Sequence, residues 1–190
     1  MDIKTYKQKL LEQLYEPYKK CTMCPLGNLG RKNIVFGEGN PNTKLMFIGE
    51  GPGQKEDDLC RPFVGRSGQL LTKVLEAIGL SREQVFITNV VKCRPPKNRN
   101  PLPKERETCT NLLLLKQIKI IRPKVICTLG SVAMQTFFEN NAKISKIRGK
   151  IFKKDGTNII PTYHPAYILR NNRELENFAN DIKLAKKLSL

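Results

Sequence analysis

The sequence predicts a single α/β domain, a three-layer αβα sandwich around a four-stranded parallel sheet, and three observations predict it. Four short apolar runs rich in Ile, Val, Phe and Thr read as buried strands. Amphipathic stretches at helical spacing alternate with them, the pattern of a parallel sheet covered on both faces. A chain of 190 residues with 39% apolar content suits one core, and no repeat, low-complexity stretch or linker divides residues 1–190.

The elements follow in order. Residues 2–19 set Ile3, Tyr6, Leu10, Leu11, Leu14, Tyr15 and Tyr18 on a helical period that stops at the CTMCPLG turn. The first strand is LMFIG at 45–49. The next helix has Ser67 as N-cap, an apolar face at Leu70, Leu71, Val74, Leu75 and Ile78, and Gly79 as its stop. VFITNV at 85–90 is the second strand, followed by a long basic, Pro-rich loop at 92–104 and a helix over 103–120. Loops of that length usually carry function. VICTLG at 125–130, a helix at 131–139, NIIPTYH at 158–164 and a helix at 173–188 complete the alternation.

Thirty-four Lys and Arg against seventeen Asp and Glu give a formal charge of +17, which points to a polyanionic partner, nucleic acid first. No stretch approaches the roughly 18 consecutive apolar residues of a membrane span, and the amino terminus lacks a signal-peptide core. A soluble cytoplasmic protein, associated with the nucleoid and not with a membrane, is expected. Six cysteines inside a cell argue for metal ligation before disulfides. Cys21 and Cys24 follow the first helix and Cys93 and Cys109 flank the basic loop, so these four thiols can hold a metal, a structural zinc or an iron-sulfur centre. Cys127 lies in an apolar strand and reads as core, while Cys60 carries no clear signal.

In an open parallel sheet the ligand crevice lies beyond the carboxyl ends of the strands. Here one strand runs into Gly49-Glu50-Gly51-Pro52-Gly53, another reaches Asn89, and the last reaches His164. A carboxylate, an amide and an imidazole can converge there, the few polar groups that a pocket needs. The glycine segment lacks the Lys and Ser/Thr of a P-loop and does not fit GxGxxG, which excludes the usual nucleotide-triphosphate reading.

GEGPGQKED at 49–57, RPFVGRSGQLL at 61–71, NVVKCRPPKNRNP at 89–101 and HPAYILRN at 164–171 together closely resemble the thermophile-type, iron-sulfur (family four) uracil-DNA glycosylases, with the four cysteines completing the pattern. The resemblance implies that fold, a structural [4Fe-4S] cluster on Cys21, Cys24, Cys93 and Cys109, and excision of uracil from single- or double-stranded DNA. It assigns Phe63 to stacking on the flipped base, Asn89 to reading its edge, His164 to stabilising the leaving group, and Glu50 to the attacking water and the sugar cation. Backbone groups of Gly49 and Gly51 would line the uracil pocket, with Glu56 supporting the water or its neighbours. Ala166–Arg170 resembles a loop that enters the duplex, with Ile168 and Leu169 as the apolar wedge. Lys92, Arg94, Lys97, Arg99, Arg148 and Arg170 are the candidate phosphate contacts.

The chain departs from the family at Cys60, where glycine or a polar residue is expected, and at Asn172, where proline is frequent. A variant group that traps itself on abasic DNA uses a histidine in the basic loop; this loop has none, so a freely turning-over hydrolase is expected. By analogy it is a monomer, with a sliding clamp as a possible partner. The rivals are a non-catalytic iron-sulfur nucleic-acid-binding module, which would not need Glu50, Phe63, Asn89 and His164 together, and a glycosylase for hypoxanthine, against which Asn89 argues.

Overall fold

The computed structural model describes residues 3–138 and 142–190. In chain order it contains α1 (Ile3–Tyr15), β1 (Glu38–Gly39), β2 (Leu45–Gly49), α2 (Gln54–Leu59), α3 (Arg66–Ala77), β3 (Phe86–Asn89), α4 (Pro103–Cys109), α5 (Leu115–Ile121), β4 (Val125–Leu129), α6 (Ser131–Gln135), α7 (Ile144–Ile147), β5 (Phe152–Lys154), β6 (Thr157–Thr162), α8 (Pro165–Ile168) and α9 (Leu175–Ser189). No helix among the described residues is long and apolar enough to cross a membrane.

The sheet corrects the expectation of four parallel strands: it has six, in the order β1-β3-β2-β4-β6-β5, and is mixed. The four predicted strands form its parallel centre, β2 pairing with β3 and β4, and β4 with β6. The added edge strands are antiparallel, β1 on β3 and β5 on β6. They span two and three residues and include Glu38, Lys153 and Lys154, so no apolar run announces them. Short charged edges also discourage pairing with another chain.

Alternate side chains of each strand point to opposite faces, which creates two cores. On one face Leu45, Phe47, Ile87, Val125, Cys127 and Ile160 pack with Leu71 and Leu75 of α3 and with Phe178 and Ile182 of α9. On the other, Met46, Ile48, Phe86, Ile126 and Ile159 pack with Leu11 of α1, Ile121 of α5 and Ala133 of α6. These are the outer layers the sequence predicts, and Cys127 is core, as read.

Several boundaries move. The first predicted helix ends at Tyr15, and Pro17 belongs to a short 3-10 turn; its predicted start, residue 2, lies outside the described residues, as does residue 139 at the end of the predicted 131–139 helix. The predicted 103–120 helix is interrupted by a π-helical turn at Thr110–Leu114, directly after Cys109. The N-cap of α3 is Gly65, not Ser67. Cys60 ends α2 with φ of +54°, in the left-handed region where glycine is favoured.

Candidate active site

The parallel register brings the strand exits together: Gly49, last in β2, stands opposite Asn89, last in β3. A Cβ at Gly49 would lie 2.3 Å from Phe63 Cζ and 2.5 Å from Asn89 Oδ1, so only glycine lets the aromatic ring and the amide meet above the end of β2. His164, just beyond β6, completes the group, its ring centroid 5.7 Å from that of Phe63. Around them lies a cavity of about 550 Å³ lined by Glu50, Gly51, Glu56, Phe63, Asn89 and His164, with Asn98 and Arg99 of the basic loop and Arg170 at its walls.

Two of these groups have free polar atoms. Asn89 is 1% exposed, and its Oδ1 is buried without a hydrogen-bond partner. A buried unpaired acceptor costs free energy unless a ligand satisfies it. His164 caps α8, and its Nδ1 accepts a hydrogen bond from the Ala166 amide (3.1 Å). The remaining proton of a neutral ring therefore sits on Nε2. Burial pushes the His164 pKa down to about 4, with the positive charge of Arg170 acting the same way and Glu56 opposing. The ring is neutral at pH 7.

Burial raises the pKa of Glu50, and the positive charge of Arg106 opposes this. Glu56, buried, turns its Oε1 to the Val64 and Gly65 amides (2.9 and 2.7 Å), holding the loop that carries Phe63. Sequence reading missed this contact because it lies in backbone amides, which no side-chain pattern marks.

The cationic candidates divide. Lys97 and Arg170 are exposed, and Arg94 and Arg99 are half-buried on the basic loop, Arg94 bonded to Asn98 and Arg99 gripping Glu105 with two bonds. Lys92 is corrected: it is fully buried, its ammonium donating to Thr88 Oγ1, the Asn89 carbonyl and Gln117 Oε1 at 2.6–2.7 Å, out of reach of any phosphate. Arg148, half-buried, holds Asp181 and the Asn177 carbonyl with its guanidinium, as Arg99 holds Glu105, but it does not line the cavity. Ile168 is 1% exposed and belongs to the core, which leaves Leu169, 45% exposed, as the apolar tip of that loop.

On the α1 side of the sheet, Cys93 belongs to the apolar core, Cys21, Cys24 and Cys109 pack against it, and Cys21 and Cys24 are near enough to act electrostatically on Cys93 and Cys109. Burial pushes the Cys93 thiol up to about 12 and the Cys109 thiol up to about 11, with charge on Cys21 and Cys24 acting in the same direction. Arg31 donates to the Cys21 carbonyl (2.8 Å), and its positive charge acts to lower the Cys93 value. Its Nε is buried without a partner. Among the described residues no three His, Cys, Asp or Glu side chains converge on the position of a single metal ion.

A family model of the uracil DNA glycosylase superfamily matches residues 36–188. A type-4 uracil-DNA glycosylase of Thermotoga maritima is 50% identical over 185 residues, covering 95% of each chain. The type-4 enzyme of Sulfurisphaera tokodaii is 44% identical over 95% of this chain and 85% of its own length. A type-5 uracil-DNA glycosylase of Pyrobaculum aerophilum is more distant, 28% identical over 72% of this chain and 67% of its own length. The chain thus belongs to the uracil-DNA glycosylase superfamily and, within it, to the type-4 family.

Proposed function

We infer that this chain is a DNA-repair hydrolase that releases uracil by cutting its N-glycosidic bond to deoxyribose, leaving an abasic site. Family membership supports the reaction, and one observation supports the base: the unpartnered Asn89 Oδ1, buried beside Phe63 at a cavity with room for a flipped-out nucleotide. In this reading Asn89 accepts from uracil N3–H and donates through its Nδ2 to O4. Cytosine presents the opposite polarity and would leave buried groups unpaired.

A base inside a duplex cannot enter such a cavity, so it must be flipped out, with Phe63 stacking on its face. His164 then directs Nε2–H at uracil O2. As the C1′–N1 bond breaks, its electron pair passes to the pyrimidine, and a neutral donor stabilises the anion at O2 without first surrendering a proton. The Glu50 carboxylate stabilises the cationic sugar and holds the water whose oxygen bonds to C1′, and the proton that this water loses balances the one taken up by the departing uracil anion, much as carboxylates act on other glycosidic bonds. Lys97, Arg94, Arg99 and Arg170 would meet phosphates, and Leu169 would fill the gap left by the base.

Cys21, Cys24, Cys93 and Cys109 would hold the [4Fe-4S] cluster. The fit is supported by four thiols packed on the same apolar core and by Arg31, whose buried Nε lacks an acceptor that a cluster sulfur could provide. Bound there, the cluster would supply a structural cross-link between the segment after α1 and the basic loop.

The test is release of free base from matched oligonucleotides carrying one uracil, cytosine or thymine, by wild type and by His164→Ala. Release of uracil alone, strongly reduced in the variant, is expected. Binding of DNA without release of any base would instead favour the non-catalytic module.

A further inference from the structure

Phe63 stands in a backbone conformation that its side chain disfavours, with φ of +53°. Gly68 packs against it so closely that a Cβ there would lie 1.9 Å from the Phe63 carbonyl carbon. Two devices hold this loop. Glu56 accepts from the amides of Val64 and Gly65, and on the other side the Arg82 guanidinium donates to the carbonyls of Pro62 (2.6 Å) and Phe63 (3.0 Å) and to Thr72 Oγ1 (3.2 Å).

Arg82 is anchored in turn. Glu38 Oε1 accepts from its Nε (3.2 Å) and Nη2 (2.6 Å), and Glu38 Oε2 accepts from Arg61 (2.7 Å). The Arg82 side chain is 12% exposed and does not line the cavity. It therefore cannot touch a base; it touches the backbone of the residue that does.

We propose that Arg82, tethered by Glu38, is a positioning residue for base recognition, holding Phe63 in its left-handed conformation so that the ring faces Asn89 and His164. The inference rests on the uracil-excision reading for its consequence, not for its geometry. Lysine at this position would keep the charge but lose the planar fork, and one ammonium cannot serve two carbonyls, Thr72 and Glu38 in the same arrangement. The strained φ would then no longer be the only conformation allowed.

The experiment is a double-mutant cycle on uracil release with Arg82→Lys, Phe63→Ala and the pair. Inhibition by free uracil and amide hydrogen exchange at Val64 and Gly65 are followed on the wild type and Arg82→Lys. Arg82→Lys should weaken inhibition by uracil and lower kcat/KM by about tenfold, yet by less than about twofold in the Phe63→Ala background. Exchange at Val64 and Gly65 should accelerate at least about tenfold, with exchange in α9 unchanged. A full loss persisting in the Phe63→Ala background, or unaltered exchange at those two amides, overturns the proposal. Glu38→Gln should reproduce the pattern more weakly, and it decides the matter if Arg82→Lys does not fold. A wild type that releases no uracil would overturn the glycosylase reading instead, leaving the exchange measurement to judge the clamp.

Discussion

His164 is the only histidine in the chain, so its protonation can be followed as one isolated imidazole by nitrogen-edited NMR. The perturbation is acidification from about pH 8 to about pH 4. An ordinary histidine takes up its proton near 6.5, whereas burial and the charge of Arg170 hold this one back to about 4. Between those values the unfolded chain binds a proton that the folded chain refuses, so stability falls as pH drops below 6.5. The full loss, reached below pH 4, is on the order of 3 kcal/mol from this group. The spectra should show a ring protonated at Nε2 and bare at Nδ1 throughout that window, because Nδ1 is occupied as acceptor from the Ala166 amide. Base release should correspondingly show no histidine limb between about pH 8 and about pH 5. A titration midpoint near 6.5, or a proton on Nδ1, would refute the reasoning, since an imidazolium or the other tautomer would present a different group to uracil O2.

Other expectations follow from the same geometry. Asn89→Asp keeps an acceptor and loses the Nδ2 donor, so the preference for uracil over cytosine should fall by at least about tenfold in a paired-substrate release assay; unchanged selectivity at full activity would remove Asn89 from recognition. Cys93→Ser should lose brown colour and several kcal/mol of stability, on the order expected when metal binding is coupled to folding, measured by visible absorbance and thermal unfolding; a colourless, active wild type containing zinc would contradict the iron assignment. Lys92→Met removes the donor to the Asn89 carbonyl and Gln117 Oε1, while Thr88 Oγ1 keeps its bond to the Phe36 carbonyl; it should cost on the order of 1–3 kcal/mol while the salt dependence of DNA binding stays as in wild type. Arg170→Ala, by contrast, should lower that salt slope by about one.

What was legible in the sequence follows from where the physics is local. The four central strands are continuous apolar runs because both of their faces are buried, and their exits carry Gly49, Glu50, Asn89 and His164 because ligands bind there in such sheets. The edge strands had no comparable signal, although Asp155-Gly156, both at positive φ, join β5 to β6 in a turn sequence typical of tight hairpins. Lys92 misled because a lysine beside a basic loop reads as surface; its burial depends on Gln117, 25 residues away, supplying an acceptor. Arg82 and Arg31 escaped notice for a related reason: their partners include backbone carbonyls, and no residue pattern identifies a carbonyl that needs a donor.

These buried contacts share an arrangement that bears on specificity. Three residues facing the cavity are held from behind: Asn89 at its carbonyl by Lys92, Phe63 at its backbone by Arg82 with the following amides on Glu56, and His164 at Nδ1 by the Ala166 amide. With those atoms occupied, the backbone that carries Asn89 and Phe63 and the His164 ring lose little further freedom when a base enters, so part of the entropic cost of ordering falls on folding instead of on binding. In the uracil-excision reading, the atoms left free are the ones that discriminate. A buried acceptor left unpaired costs on the order of 1–3 kcal/mol, a penalty that a bound uracil N3–H would remove from Asn89 Oδ1, which has no partner within the protein, and that a cytosine N3 lone pair would leave in place. If the holding contacts were loosened, Asn89 could turn to find another partner and the penalty would relax before any base arrived. Specificity would then fall even though every residue touching the base was still present, which is why weakened selectivity, and not merely weakened stability, is the expected consequence of disturbing the groups behind the pocket.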